Sequence, residues 1–222
     1  MNRQATTITT SITTSFAAAI ALMLLTTGIA AAAPAHDAAR AGDGATLYGL
    51  IASDPTMLEI RDEIGASPLY YAAWEGHLDI VKRLIDMGAE VTVATTDGLT
   101  GLHWAALEGH VEVCRALLDN GADVNARTIV QGNTPLLEVW NGGGHPEVAQ
   151  LLIARGADVD AVEKWNGMSI LHYAANKGLP TLVRTLIDNG ASESLKDNGG
   201  RTAAQHASNS ATRAAFKPII TR

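Results

Sequence analysis

The chain has 222 residues, which is enough for one domain with a sizeable core. Hydrophobic residues make up 47% of it and charged residues 18%, a balance typical of a globular rather than a disordered protein. Its formal net charge of −7 argues against nucleic acid as a partner, and its single cysteine, Cys114, excludes an internal disulfide.

Residues 1–35 differ in composition from the rest of the chain and predict a secretory signal peptide. Arg3 is their only charged side chain, and residues 16–25 carry no polar side chain at all. The small residues that follow offer cleavage sites after Ala32 or Ala35. The apolar run is short for a membrane span, which needs about 20 residues. We therefore expect export, with a membrane-tethered chain as the alternative if the leader is not cleaved.

Residues 36–61 have the pattern of a degraded N-terminal repeat unit. The segment AARAGD at residues 38–43 is followed by Leu47 and Ile51, and Leu47 precedes Val81 of the next unit by 34 residues. The end units of a repeat stack must present a polar outer face to solvent, so their sequence departs from that of the inner units. We expect an N-terminal capping repeat here.

Four better-formed units follow, at about residues 62–94, 95–128, 129–163 and 164–194. A Gly-Ala pair marks their phase, in steps of 33, 35 and 34 residues, at Gly88, Gly121, Gly156 and Gly190. Each unit opens with a hydroxyl residue suited to a helix N-cap. A second helix then carries apolar residues at i, i+3 and i+4, the pattern of one buried face. This periodicity predicts a stack of helical repeats, closed by a C-terminal cap at residues 195–222.

The best-formed unit, residues 98–125, reads GLTGLHWAALEGHVEVCRALLDNGADVN. It resembles the ankyrin repeat, whose pattern G-x-T-P-L-H-x-A-A-x-x-G-H…V-x-x-L-L-x-x-G-A-D-V-N it reproduces almost whole. The resemblance covers about residues 36–222 and implies an all-α repeat solenoid of stacked helix-turn-helix units with β-hairpin tips. The third unit departs from the pattern, because Val139 and Trp140 replace an alanine pair and residues 142–144 add a glycine. We expect that unit to be locally distorted.

Histidines recur at two positions of the repeat and raise the question of a metal site. His77, His110 and His145 share one position, and His103 and His172 share the other. Equivalent positions in neighbouring units lie about 8–10 Å apart, the packing distance of helices. Two nitrogens that share a zinc ion must each lie about 2.0–2.1 Å from it. The resemblance implies instead that these histidines hydrogen-bond the adjoining loop, and we predict no metal and no cofactor.

The sequence offers no convincing group of catalytic residues. The glycines at 142–144 are not followed by the Lys-Ser/Thr of a phosphate-binding loop. Cys114 stands where other units have Val81, Ala149 or Val183, which favours a buried small hydrophobe over a redox or partner-linking thiol. We therefore predict that the protein is not an enzyme and has no small-molecule substrate.

Aromatic residues provide the remaining signal of a binding site. By the resemblance, the hairpin tips and the exposed face of each first helix line a concave surface. The residues of interest at those positions are Tyr71, Trp74, Trp104, Leu107, Trp165, Tyr173 and Asn176. Clustered aromatic side chains are typical of binding hot spots. The alternative is that rings of neighbouring units stack on one another as an extension of the core.

Together these patterns predict an exported, non-catalytic protein of the periplasm of a Gram-negative bacterium. It would bind a protein partner through its concave face and hairpin tips, and a membrane would be a partner only if the leader is retained. A second hypothesis is an inhibitor or immunity-type protein that occludes the active site of an enzyme. The identity of the partner is encoded in variable positions that the repeat pattern does not constrain.

Overall fold

The computed structural model describes residues 34–140 and 143–216, and the predicted signal peptide lies almost wholly outside the described residues. The described residues form six pairs of short helices. The first helices of the pairs are α1 (Pro34–Ala41), α3 (Pro68–Trp74), α5 (Gly101–Glu108), α7 (Pro135–Glu138), α9 (Ile170–Lys177) and α11 (Ala203–His206). The second helices are α2 (Gly44–Ser53), α4 (Leu78–Asp86), α6 (Val111–Asp119), α8 (Pro146–Ala154), α10 (Pro180–Asp188) and α12 (Ser210–Ala215).

The pairs stack in two rows. In the first row α3 packs between α1 and α5, and α5 packs against α7; in the second row α4, α6, α8 and α10 follow one another. Fully buried leucines fill the space between the rows, one from each helix of a pair, such as Leu102 and Leu117 of α5 and α6. The prediction of an all-α repeat solenoid is confirmed.

Hairpin-like loops connect successive helix pairs, and their tips are joined in a row beside the two rows of helices. Isolated antiparallel bridges close them at Ala94 with Thr100, Val162 with Ser169 and Lys196 with Thr202. Each loop tip after the first also donates one backbone hydrogen bond of 2.8 Å to the tip before it. The donor N–H and acceptor carbonyl pairs are Thr96 with Ile64, Ile129 with Asp97, Lys164 with Gln131, and Asn198 with Asn166. We call this row of bonds the tip ladder; it fixes the spacing of neighbouring tips.

The stack begins earlier than expected. Helix α1 starts at Pro34, two residues before the predicted start of the repeat domain at residue 36. His36 is buried, and its Nε2–H faces the carbonyl oxygens of Ile60 and Ala66, each at 3.1 Å. This is the loop contact that the histidines of the inner units make, so Pro34-Ala35-His36 is the start of a repeat. The 34-residue spacing from Pro34 to Pro68 carried that signal in the sequence.

The third unit is distorted, as expected from its sequence. Its first helix, α7, has only four residues, whereas α5 and α9 have eight each. In the preceding unit the Nε2–H of His110 donates to the carbonyl oxygen of Trp74 at 3.1 Å. The equivalent Nε2 of His145 is buried and has no hydrogen-bond partner among the described residues. The third unit thus lacks the contact that His77 and His110 make in the two units before it.

Histidines at the second recurring position cap the first helices. In α5 the Nδ1 atom of His103 accepts from the backbone N–H of Thr100 at 3.1 Å and from its hydroxyl at 2.9 Å. The Nε2–H of His103 donates to the carbonyl oxygen of Asn133 in the next loop, at 3.2 Å. Ser169 and His172 repeat the arrangement in α9. The histidines therefore bind the adjoining loop, as the resemblance implied.

Burial lowers the pKa of His103 to about 4, because the imidazolium form loses its hydration inside the stack. Unfolding exposes the ring and returns its pKa to the ordinary value of 6.5. Between these two values the unfolded state binds more protons than the folded state, so the free energy of unfolding falls as pH falls. The contribution of the neutral His103 ring to the free energy of unfolding is complete above pH 6.5 and is lost progressively towards pH 4.

Replacing His103 with glutamine tests this account. In the last unit Gln205 already performs the capping role, with its Oε1 accepting from the backbone N–H of Thr202 at 2.8 Å. We expect His103→Gln to fold at pH 7.5 and to lose less stability than the wild type between pH 7.5 and pH 4.5, by about 2–3 kcal/mol. Urea unfolding at both pH values measures the difference. If both proteins lose the same amount of stability between the two pH values, the pH dependence does not come from protonation of His103 on unfolding.

Candidate partner-binding surface

Three of the seven predicted binding residues are buried. Tyr71, Trp74 and Trp104 are 7%, 8% and 3% exposed, which corrects the expectation that these positions are exposed. The first helices approach closely enough for the rings to fill the space between them. The rings of Trp74 and Trp104 stack with centroids 4.0 Å apart, and Tyr71 stacks on Trp74 at 6.1 Å. Together with Tyr70 they form one cluster, the aromatic stack.

The polar atoms of the aromatic stack are also satisfied internally. The hydroxyl of Tyr71 donates to Oδ2 of Asp62 at 2.6 Å, and the indole N–H of Trp104 donates to the hydroxyl oxygen of Tyr70. Burial raises the pKa of both tyrosines, because a phenolate would lose its hydration there. At the outer edge, the guanidinium of Arg40 lies 5.1 Å from the centroid of the Trp74 ring. These contacts make the stack part of the core.

The other residues predicted on the first helices lie nearer the surface. Leu107 and Tyr173 are half-buried, and Asn176 is exposed. Tyr173 stacks in parallel on the half-buried Trp140, with ring centroids 4.4 Å apart and an interplanar angle of 3°. The ammonium of Lys177 lies 5.1 Å from the centroid of the Trp140 ring. Leu107, Tyr173 and Asn176 thus form a partly exposed strip along the row of first helices, which we call the accessible margin.

The hairpin tips carry the clearest exposed apolar groups. Trp165, the predicted residue at a tip, is 58% exposed, and Ile129 and Val130 are 62% and 44% exposed. Among the described residues, these three are the large hydrophobic side chains that are exposed to solvent. The tip ladder joins their two loops directly through Lys164 and Gln131. Sequence reasoning missed Ile129 and Val130, although two consecutive branched apolar residues at a loop tip were visible in the sequence.

Lys164 is held between the same two tips. Its ammonium donates to the carbonyl oxygen of Ile129 at 2.7 Å. Its methylene chain lies across Gly132, where an added Cβ would come within 3.0 Å of the lysine Cγ and Cε atoms. We call Ile129, Val130, Lys164 and Trp165 the tip patch. It places one fixed cation among three exposed apolar side chains.

Beside the patch, a cleft of about 440 Å³ separates the first two inner hairpins. Val91, Ala94 and Ala122 contribute apolar walls, while Asp123 and Arg127 contribute charge. Arg127 also donates through Nη1 to the carbonyl oxygen of Gly132 at 3.0 Å, so it connects the cleft to the loop of Ile129. The cleft is therefore lined by one charge of each sign.

Apart from these surfaces, the described residues offer few side chains suited to catalysis or metal binding. Burial raises the pKa of Cys114 to about 12, which keeps the reactive thiolate form scarce. Residues 34–140 and 143–216 contain no group of three His, Cys, Asp or Glu side chains able to hold a metal ion. Asp197 accepts at 2.7 Å from His206 in the last unit, and a backbone hydrogen bond from Arg201 lowers its pKa. That buried pair fixes the final hairpin.

No helix among the described residues is long and apolar enough to cross a membrane.

Stacked pairs of short antiparallel helices with linked loop tips define a helical repeat protein. A family model described as "Ankyrin repeats (3 copies)" matches residues 35–128 and 129–218, which is well over half of the chain. The chain belongs to the ankyrin repeat family. Members of this family are generally protein–protein interaction modules rather than enzymes.

Curated relatives share one short stretch with this chain. Ankyrin repeat domain-containing protein 49 of Homo sapiens is 44% identical over 50 residues, and its Bos taurus counterpart is 42% identical over 50 residues. In each case the match covers 22% of this chain and 21% of the relative. The chain thus spans about a fifth of the length of these relatives, and the likeness extends only to the repeat itself.

Trp104 in the core and Trp165 at an exposed tip allow a matched test of what burial contributes to stability. We expect Trp104→Ala to lower the free energy of unfolding by about 3–5 kcal/mol, because it empties a buried, stacked position. Trp165→Ala removes the same atoms from an exposed tip and should cost less than about 1 kcal/mol. Urea unfolding followed by circular dichroism gives both values. Equal costs for the two changes would mean that the burial of Trp104 does not support the stack.

Proposed function

We propose that this protein is a non-catalytic module that binds a protein partner through the tip patch. The observation that carries the proposal is the placement of Ile129, Val130 and Trp165, the exposed large hydrophobic groups of the described residues, on two adjacent tips. An exposed cluster of this kind loses its unfavourable contact with water when a partner covers it. Tryptophan is also among the residues most often found at binding hot spots.

The fixed geometry of the tips supports the same proposal. The backbone bonds from Ile129 to Asp97 and from Lys164 to Gln131 hold the tips in one arrangement before any partner arrives. A surface that is already ordered loses little conformational entropy on binding, so more of the interaction free energy appears as affinity. The accessible margin at Leu107, Tyr173 and Asn176 would extend the contact along the first-helix row. Tyr71, Trp74 and Trp104 would support that row from inside.

The proposed compartment is the periplasm. The composition of residues 1–35 supports an exported chain whose leader is removed. Of the two cleavage sites, cleavage after Ala35 would remove Pro34 and Ala35, the first two residues of α1, and Ala35 is 0% exposed. Cleavage after Ala32 would leave α1 whole. The architecture of the first repeat therefore favours a mature chain that begins at Ala33.

A pair of tip variants tests the binding surface. We expect the double variant Ile129→Ser with Trp165→Ser to reduce partner capture by about tenfold or more, since two exposed anchors are lost. Thr96→Ala changes the equivalent ladder position on the neighbouring tip and should leave capture unchanged. The measurement is crosslinking of tagged protein in its native cells, with the same captured partner quantified by mass spectrometry. Unchanged capture in the double variant, with its helical spectrum intact, would move the binding surface elsewhere.

The intact mass of the tagged protein tests the proposed export. We expect the periplasmic fraction to contain a chain that begins at Ala33. A start at His36 would retain export but reject the argument from α1. An uncleaved chain in the membrane fraction would support the tethered alternative, and a cytoplasmic chain would reject export.

A further inference from the structure

We propose that the tip patch recognises an acidic, apolar segment of its partner, in which carboxylates flank exposed hydrophobic side chains. This inference rests on the proposed function, because it assigns a partner chemistry to the same surface. Three observations carry it: the fixed position of Lys164, the unneutralised charge of Lys164 and Arg127, and the distribution of acidic residues around them.

The first observation is that the Lys164 cation is preorganised. Its stem lies across Gly132 and its ammonium donates to the carbonyl of Ile129. An ammonium group has three N–H donors, and this contact uses one of them. Lys164 is exposed, so a carboxylate of the partner would reach the remaining donors of a cation already in position.

The second observation is that the two cations lack acidic partners within the described chain. Arg127 directs Nη1 to the carbonyl oxygens of Gly132 and Val162, at 3.0 and 3.5 Å. Neither Arg127 nor Lys164 forms an ion pair among residues 34–140 and 143–216. By contrast, the exposed Arg155 is paired with Asp119. Two cations that form no ion pair within the described ranges thus lie beside the exposed apolar cluster, in a chain of net charge −7.

The third observation orients the partner. Asp97 lies on the tip before Ile129, and Asp123 lines the cleft on the same side. Acidic groups of the partner would therefore lie nearest Lys164, away from Asp97. Complementary charge mainly sets the choice of partner and the association rate, while burial of the apolar groups provides affinity.

A peptide selection tests this chemistry without knowledge of the partner. Random 12-residue peptides displayed on phage are selected on the full chain as recovered from cells, and enriched peptides are synthesised and measured by fluorescence anisotropy. We expect the enriched sequences to combine Asp or Glu with large apolar residues. Their affinity should fall as salt rises, because exposed charges are screened.

Charge variants then locate the contact. Lys164→Glu with Arg127→Glu should weaken the selected peptides about tenfold or more. The control, Lys82→Glu with Arg213→Glu, makes the same change in net charge at exposed positions away from the patch and should leave affinity unchanged. Lys164→Gln keeps a side-chain donor and removes only the charge, so an intermediate loss is expected if the fold is intact.

The outcomes separate the inference from the proposed function. Enriched peptides that depend on Trp165 but show no excess of Asp or Glu, or that bind the charge-reversed variant equally well, would overturn the acidic assignment and leave the tip patch as the binding surface. Peptides that are indifferent to Trp165 and Ile129 would overturn both. If the selection yields no patch-dependent peptide while vesicles containing phosphatidylglycerol bind through Trp165 and Lys164, the occupant is an anionic membrane and the inference fails.

Discussion

Contact between neighbouring helix pairs is the constraint on which the rest of this structure depends. The described helices have between four and ten residues, whereas isolated helices shorter than about 12–15 residues are marginal in water. Each pair therefore owes its stability to the pairs beside it, through buried leucines such as Leu102 and Leu117. The same dependence explains the capping histidines, because His103 and His172 join their own helix to the loop of the following unit. It also explains why the histidine pKa is coupled to folding.

Close contact of the first helices decides the role of the aromatic residues. In a single repeat Trp104 would stand at the surface, but the ring of Trp74 from the adjacent unit covers it. The space between the helices is filled by rings whose hydroxyl and indole groups bond to one another. The same rings that would be anchors on a free helix face are core residues in the stack. The exposed large apolar side chains lie instead at the loop tips, where no neighbouring repeat covers them.

The tips combine two properties that the helices lack. Their backbones are joined by the tip ladder, so their spacing is fixed, while their side chains face solvent and are free to vary. Ile129, Val130 and Trp165 use that freedom to expose apolar groups, and Lys164 and Arg127 add positive charge beside them. A repeat framework of this kind separates stability, carried by buried leucines and capping residues, from recognition, carried by a few side chains at the loops. That separation underlies both the proposed protein-binding role and the acidic partner inferred for it.

The sequence by itself determined the repeat period, the helix pairs and the distorted third unit, because glycine, hydroxyl and leucine spacing reflect local backbone geometry. The family resemblance also implied the loop contact of His103, and the sequence predicted the exposure of Trp165. It placed the start of the stack two residues late, since the Pro34–His36 signal is weak without the buried contacts of His36. Only the tertiary structure decided which aromatic rings are covered, because Tyr71, Trp74 and Trp104 become buried through rings that lie about one repeat away in sequence. The tip patch likewise exists only after folding, when the loops of Ile129 and Trp165, more than 30 residues apart in the chain, are joined side by side.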